Sequence, residues 1–383
     1  MNIFELLTYA YIDVNLLLAI ALGAWLALGL GLKASGLSSE HASRQRLLRL
    51  GFLAALFTPF AAHALAWSPL REAGALLSSL SLSDYVIIQY FEGRIALDSS
   101  EIEALVGARQ RLADGLGFSG GELGRALTLV LAVGALVCGL DLLRSLLRLR
   151  RTLAGCHAWR RCGRLRLVLS DEIAVPFATR GLRAGYIVLP TAMLCDRSAL
   201  RFAIAHEAQH LRNGDVLWEF LLEALKPLFF WNPAFAIWKA QGQRLRELAC
   251  DEAVLRHKRF EARDYGGFLI RVSQQARRAP QAAALATPAI VSRPRGLSPF
   301  GRRPERILRE RVLALLEGSR ARPRASVVSV AGPILTAVVV LAAIWIQQPP
   351  SVSADRLHLS TIANQMRLIE IRKEPGYNLV MAY

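Results

Sequence analysis

The chain has 383 residues, of which 53% are hydrophobic, with a mean hydropathy of +0.32 and a formal net charge of +17. That apolar content is too high for an ordinary soluble domain and points to a membrane. Neither a helix-turn-helix, an RRM nor a zinc-finger pattern accompanies the basic excess (42 Arg, 5 Lys), so no direct nucleic-acid binding is expected.

Four stretches meet the roughly 20 apolar residues needed to cross a bilayer: Asn15–Leu32, Leu47–Trp67, Ala126–Leu143 and Val327–Ile346. Residues 1–14 hold Glu5 and Asp13 but no Lys or Arg, which argues for an anchor over a cleavable signal. The first connection carries Lys33, Arg44, Arg46 and Arg49 against Glu40 alone. Residues 68–124 are net −4 and residues 145–324 net +18. Positive charge collects on the cytoplasmic side, so the N-terminus is expected outside and residues 145–325 inside, at the bacterial inner membrane. The expected layout is a transmembrane hairpin (1–67), an extracytoplasmic loop (68–124) and a third span (125–144). A cytoplasmic domain (145–325), a fourth span (326–346) and an extracytoplasmic tail (347–383) follow. Ser100 and Glu103 form a candidate capping box within the loop.

Within the cytoplasmic segment, Arg144–Arg151 should prolong the third span as an amphipathic helix, and Arg166–Leu169 and Tyr186–Leu189 read as short strands. Asp196 and Ser198 can cap a helix that runs to Asn213-Gly214, a natural stop. Mid-helix lies His206-Glu207-Ala208-Gln209-His210, an H-E-x-x-H pattern that chance yields in roughly one shuffled copy in 180. Positions i and i+4 share a face, so both imidazoles can reach one ion, with Glu207 beside them to take a proton from water. Two histidines leave a tetrahedral site incomplete. Glu247, 37 residues after His210 on a second helix expected from about Gln241 to Arg256, is the best third ligand. Asp251, one turn later, is placed to accept a hydrogen bond from a ligand imidazole. Glu219, Glu223 and Glu252 are the competing carboxylates.

The aromatic stretch Val216–Trp238 could form a fifth span, but Glu219, Glu223, Lys226, Pro227 and Pro233 interrupt it. It reads as a helical pair against or dipping into the membrane. Residues 276–303 read as a linker and Pro304–Leu315 as a further helix. Four of the five cysteines (Cys156, Cys162, Cys195, Cys250) fall on the reducing side, and Cys250 is expected to pack under the metal site. Arg212, Arg244 and Tyr186 are the candidates for stabilising an oxyanion.

His206–His210, Asn232-Pro233, the Glu247-x-x-Cys250-Asp251 signature and Gly185-Tyr186-Ile187-Val188-Leu189-Pro190 together resemble the BlaR/MecR-type antirepressor membrane metallopeptidases. The resemblance covers roughly Arg144 to Leu313. It implies a mainly α integral membrane protein with four transmembrane helices and a gluzincin-like α+β zinc peptidase domain between the third and fourth. It also implies one Zn2+ ion on His206, His210 and Glu247, with Glu207 catalytic and Asp251 supporting. The implied partner is a protein substrate such as a transcriptional repressor, with self-cleavage a frequent accompaniment; the basic excess beside the inner leaflet adds membrane lipids, and a homodimer is a further candidate. The 37 residues after Ile346 are too few for a penicillin-binding sensor domain and lack a Ser-x-x-Lys motif, so beta-lactam sensing by that route is not expected. Two other classes stand beside regulatory proteolysis: a constitutive HtpX-like quality-control protease and a non-proteolytic membrane scaffold.

Overall fold

The computed structural model describes residues 3–34, 41–66, 115, 121–181, 183–256, 260–278, 304–317 and 325–347. Nearly all of the 68–124 loop with its Ser100/Glu103 box, most of the 276–303 linker and the 347–383 tail therefore lie outside the described residues.

Helices α1 (Ile3–Ala34), α2 (His41–Ala66) and α3 (Glu122–Ala154) come first. Among the described residues two stretches are long and apolar enough to cross a membrane, Leu7–Leu32 within α1 and Glu122–Ala154. The last helix, α9 (Ala325–Gln347), adds a shorter apolar run over Val328–Ile344. Among the described residues α2 does not qualify, its first turns carrying Arg44, Arg46 and Arg49. These helices suggest membrane association. As its charge pattern predicts, α3 continues past the apolar run through Arg144–Arg151.

After α3 the chain forms four strands, β1 (His157–Cys162), β2 (Leu165–Ser170), β3 (Phe177–Arg180) and β4 (Gly185–Pro190), in the order β1-β2-β4-β3. The β1–β2 and β3–β4 pairs are antiparallel and β2–β4 is parallel. The sequence reading found β2 and β4, whose apolar runs are plain, and missed the other two. Polar His-Ala-Trp-Arg-Arg-Cys is almost wholly exposed, and β3 has only four residues. Side chains alternate along β4: Ile187 and Leu189 enter one core with Phe202, Ala203, Cys250, Val254, Tyr265 and Phe268, while Val188 joins Leu149, Val168, Ile173 and Phe177 on the other face. Burial on both faces makes β4 the strand about which the domain is built.

Among the described residues five α-helices follow before α9: α4 (Arg197–Arg212), α5 (Asp215–Phe229), α6 (Pro233–Arg256), α7 (Ala262–Arg278) and α8 (Pro304–Glu317). Asp196 caps α4 by accepting from the Ser198 and Ala199 amides. Gly214, at φ +68°, turns the chain into α5 in a conformation that favours glycine. Asn232 caps α6 through the Ala234 amide, so this helix starts at Pro233, two turns before the sequence pattern suggested. The Val216–Trp238 stretch is thus a helix, a corner and the start of another helix. Phe230 lies against Gly134 of α3 so closely that any side chain there would strike its ring.

By their contacts the residues fall into two units, one comprising Met1–Ala21, Leu53–Leu129 and Thr336–Tyr383, the other Leu22–Phe52 and Val130–Leu335. The second holds every candidate site residue. Inside it Trp238 of α6 packs against Trp25 (6.3 Å between ring centroids) and Phe52 (5.9 Å), which sets the first half of α2 beside α5 and α6.

Candidate metal centre

The H-E-x-x-H residues lie mid-α4, all buried: His206 is 7% exposed, Glu207 8% and His210 9%. Their helical spacing brings the two Nε2 atoms to 3.1 Å. Glu247 of α6 faces them, with its carboxylate oxygens 3.6 Å from His206 Nε2 and 3.9 Å from His210 Nε2. Ligands about 2 Å from a tetrahedral zinc ion stand about 3.3 Å apart, so this spacing suits one cation.

The opposite edges of both rings are tied down. The Tyr265 hydroxyl donates to Asp251 Oδ1 at 2.8 Å and lies 2.8 Å from His206 Nδ1. With that proton committed to Asp251, the hydroxyl oxygen must accept from His206 Nδ1–H. Asp215 Oδ2 lies 2.8 Å from His210 Nδ1 and accepts in the same way. In both rings this arrangement leaves the Nε2 lone pair for a cation. Asp251 is 3.5 Å from His206 Nδ1, so it acts on that ring through Tyr265 rather than by the direct bond the sequence reading expected.

Each carboxylate is held by an arginine. Arg49 of α2 pairs with Asp215 and donates to the Asn213 carbonyl at 2.9 Å, while Gln45 donates to Asp215 at 2.8 Å. Arg311 of α8 grips both oxygens of Asp251 at 2.7 Å and reaches Glu247 at 3.1 Å. Tyr265, Asp215, Arg49 and Arg311 were all missed. Asp215 alone carried a signal, lying five residues beyond His210 just past the glycine stop. The others depend on helix packing that no local pattern encodes.

The electrostatics favour positive charge between the rings. Burial opposes the His206 imidazolium, yet Cys250 and Glu247 outweigh it and push its pKa up to about 10. His210 is likewise raised well above the ordinary value, against its burial, by Cys250 and Asp215. Glu247 stays well below the usual carboxylate range despite burial because Arg311, His206 and His210 surround it. Glu207 moves the other way, raised by burial more than the two histidines lower it, with a hydrogen bond from the Ala178 amide of β3 opposing the rise. An acceptor raised toward neutrality is suited to exchanging a proton with water.

The competing carboxylates are engaged elsewhere. Glu219 bonds Arg246 at 2.7 Å, Glu223 pairs with Lys239, and Glu252 pairs with Arg256 at 3.2 Å. His206, His210 and Cys250 also stand close enough to hold one metal, all buried. The Cys250 thiol sits 3.4 Å from His206 Nδ1, the nitrogen already bonded to Tyr265. Of the oxyanion candidates, Arg244 is spent on Glu310 and Tyr186 lies under Arg166. Among the described residues Arg212 has no contact with the site.

Residues 120–293 match the family described as BlaR1 peptidase M56. Over that segment the chain is similar to this family, consistent with the BlaR/MecR-type resemblance its motifs suggested, and the family implies a metallopeptidase. No curated protein matches the chain. The family match indicates a peptidase, and the buried His206, His210 and Cys250 group could bind the metal that such a peptidase needs. The match also fits the apolar helices, the M56 peptidases being typically membrane-anchored.

Proposed function

We propose that this protein is a zinc-dependent membrane endopeptidase of regulatory proteolysis, cleaving a cytoplasmic regulator and its own chain in response to a signal. The observation that carries the chemical part is the convergence of both Nε2 atoms and the Glu247 carboxylate, with both Nδ1–H groups already committed. His206, His210 and Glu247 would hold the ion. Glu247 is preferred to Cys250 because it faces both Nε2 atoms, whereas the thiol stands beside a nitrogen that is already bonded.

A bound zinc ion supplies Lewis acidity, which acidifies water and polarises a carbonyl. Glu207 then accepts the proton of the attacking water and delivers it to the leaving amine. Asp251, through Tyr265, and Asp215 keep the two imidazoles in one tautomer and orientation. The edge strand β3 supports a role in substrate binding: Ala178 already reaches Glu207, so a peptide added along that edge would run beside the base.

The regulatory part rests on the BlaR/MecR resemblance and on charge. A net +18 segment flanked by apolar helices belongs at an inner leaflet, where anionic lipids attract it and a transcriptional repressor is within reach. A second copy of the chain is a further candidate partner. The test compares cytoplasmic proteomes of cells carrying wild-type and Glu207→Gln protein. One regulator fragment, lost in the variant, is the expected result. Fragments from many unfolded membrane proteins would instead favour quality control, and identical proteomes would favour a scaffold.

A further inference from the structure

The two imidazoles are oriented by two similar relays, and both relays end outside the matched peptidase segment. His210 leads to Asp215 and then to Arg49 and Gln45 of α2; His206 leads to Tyr265, Asp251 and then Arg311 of α8. Residues 120–293 include neither arginine. Both contacts have the form of built clamps. Arg49 holds Asp215, 1% exposed, and the carbonyl at the end of α4 together, and its guanidinium lies 5.5 Å over the Trp218 ring. Arg311 forks onto Asp251, 2% exposed, and touches the proposed third ligand as well. A second fork, Arg244 onto Glu310, fastens α8 one residue away.

We propose that Arg49 and Arg311 are positioning residues that set the metal affinity of the site from α2 and α8, Arg49 through Asp215 and Arg311 through Asp251 and Glu247. The proposal rests on the metal-centre reading above and adds to it that the peptidase segment holds its ion properly only while two helices from outside it are docked. Asp215 and Asp251 are acceptors whose placement fixes the two Nδ1–H bonds. Without a guanidinium, each buried carboxylate loses its charge partner and its fixed position, and the ring it orients loosens. The geometry makes α2 and α8 natural points at which a displacement in the rest of the chain would reach the ion.

The test uses the full-length chain in detergent. Zinc affinity is read by chelator competition, and Co2+ absorption in the visible reports ligand geometry. Arg49→Gln and Arg311→Gln should each weaken zinc binding about 10–100-fold and disturb the Co2+ spectrum. Arg49→Lys and Arg311→Lys, which keep the charge but lose the fork, should fall between. Arg256→Gln, which removes a partly exposed pair with Glu252, should bind as wild type. The decisive readout is a double-mutant cycle. In an Asp215→Asn background, Arg49→Gln should change affinity less than about twofold, because the route through Asp215 is already broken. Wild-type affinity in both glutamine variants, or fully multiplicative losses in the cycle, overturns the proposal while leaving the metal centre standing. Wild-type protein that takes up no metal overturns both. Should a glutamine variant fail to fold, the lysine variant carries the same comparison.

Discussion

Tyr265→Phe removes one oxygen atom from the centre of the His206 relay and tests the tautomer argument directly. The ring can stay: it is fully buried and packs against Phe202 at 5.7 Å and Phe268 at 6.1 Å. Two hydrogen bonds go, the acceptor of His206 Nδ1–H and the donor to Asp251. A neutral bond contributes about 1 kcal/mol and one to a charged group about 1.5–3 kcal/mol. Asp251 keeps both bonds from Arg311, so the lower part of that range applies and the domain should lose about 2–3 kcal/mol. His206, left 3.5 Å from Asp251, is no longer held to one orientation, and zinc affinity should fall about 10–100-fold. Chelator competition on purified protein gives the number, with His206→Ala as the reference for a missing ligand. Affinity within twofold of wild type, with His206→Ala defective, would refute the claim that Tyr265 fixes the ring.

Other expectations concern single positions. Cys250→Ala should retain metal and Glu247→Ala should lose it; the reverse pattern, measured by bound zinc per chain, would make the thiol the third ligand. Glu207→Gln should bind zinc with near wild-type affinity yet show no peptidase activity, since the side chain acts on the proton rather than the ion. Gly214→Ala should cost about 1 kcal/mol in thermal or denaturant unfolding, because φ +68° is unfavourable for any residue with a Cβ. His41, near the start of α2, has its pKa lowered to about 4 by burial and by Arg44 and Arg244, and among the described residues its buried Nδ1 has no hydrogen-bond partner. A folded value below the ordinary 6.5 means that the unfolded chain binds the extra proton first. This contribution is therefore complete above about pH 6.5 and is lost as pH falls toward 4. At pH 5 the loss is at most about 2 kcal/mol, less for the part of the ring that water reaches. The stability curve of His41→Gln should be flatter than that of wild type between about pH 6.5 and 4, and parallel curves would place the acid sensitivity on another group.

How much of this was legible in the chain depends on the range of the interaction. H-E-x-x-H could be recognised because helical period places residues four apart on one face, and Asp196 and Gly214 delimit that helix by local capping and φ alone. Glu247 could be proposed by elimination, since the other carboxylates fitted the spacing less well, and the structure brings it within 4 Å of both imidazoles. Strands β2 and β4 were visible as apolar runs, but β1 was not, because an exposed edge strand carries little hydrophobic signal.

Sequence by itself thus determined the residue types of a cation site, their helical presentation and the apolar helices around them, all of which follow from short-range periodicity and composition. Tertiary packing decided which side chains hold the imidazoles. Arg49 lies 166 residues from Asp215, and Arg311 lies 60 from Asp251. Nothing local marks either arginine among the 42 in the chain. Their roles arise only when an aromatic cluster seats α2 beside α5 and when the Arg244–Glu310 fork seats α8 on α6. Orientation of a ring is a matter of a few tenths of an ångström, and that precision comes from the packed core rather than from the order of residues along the chain.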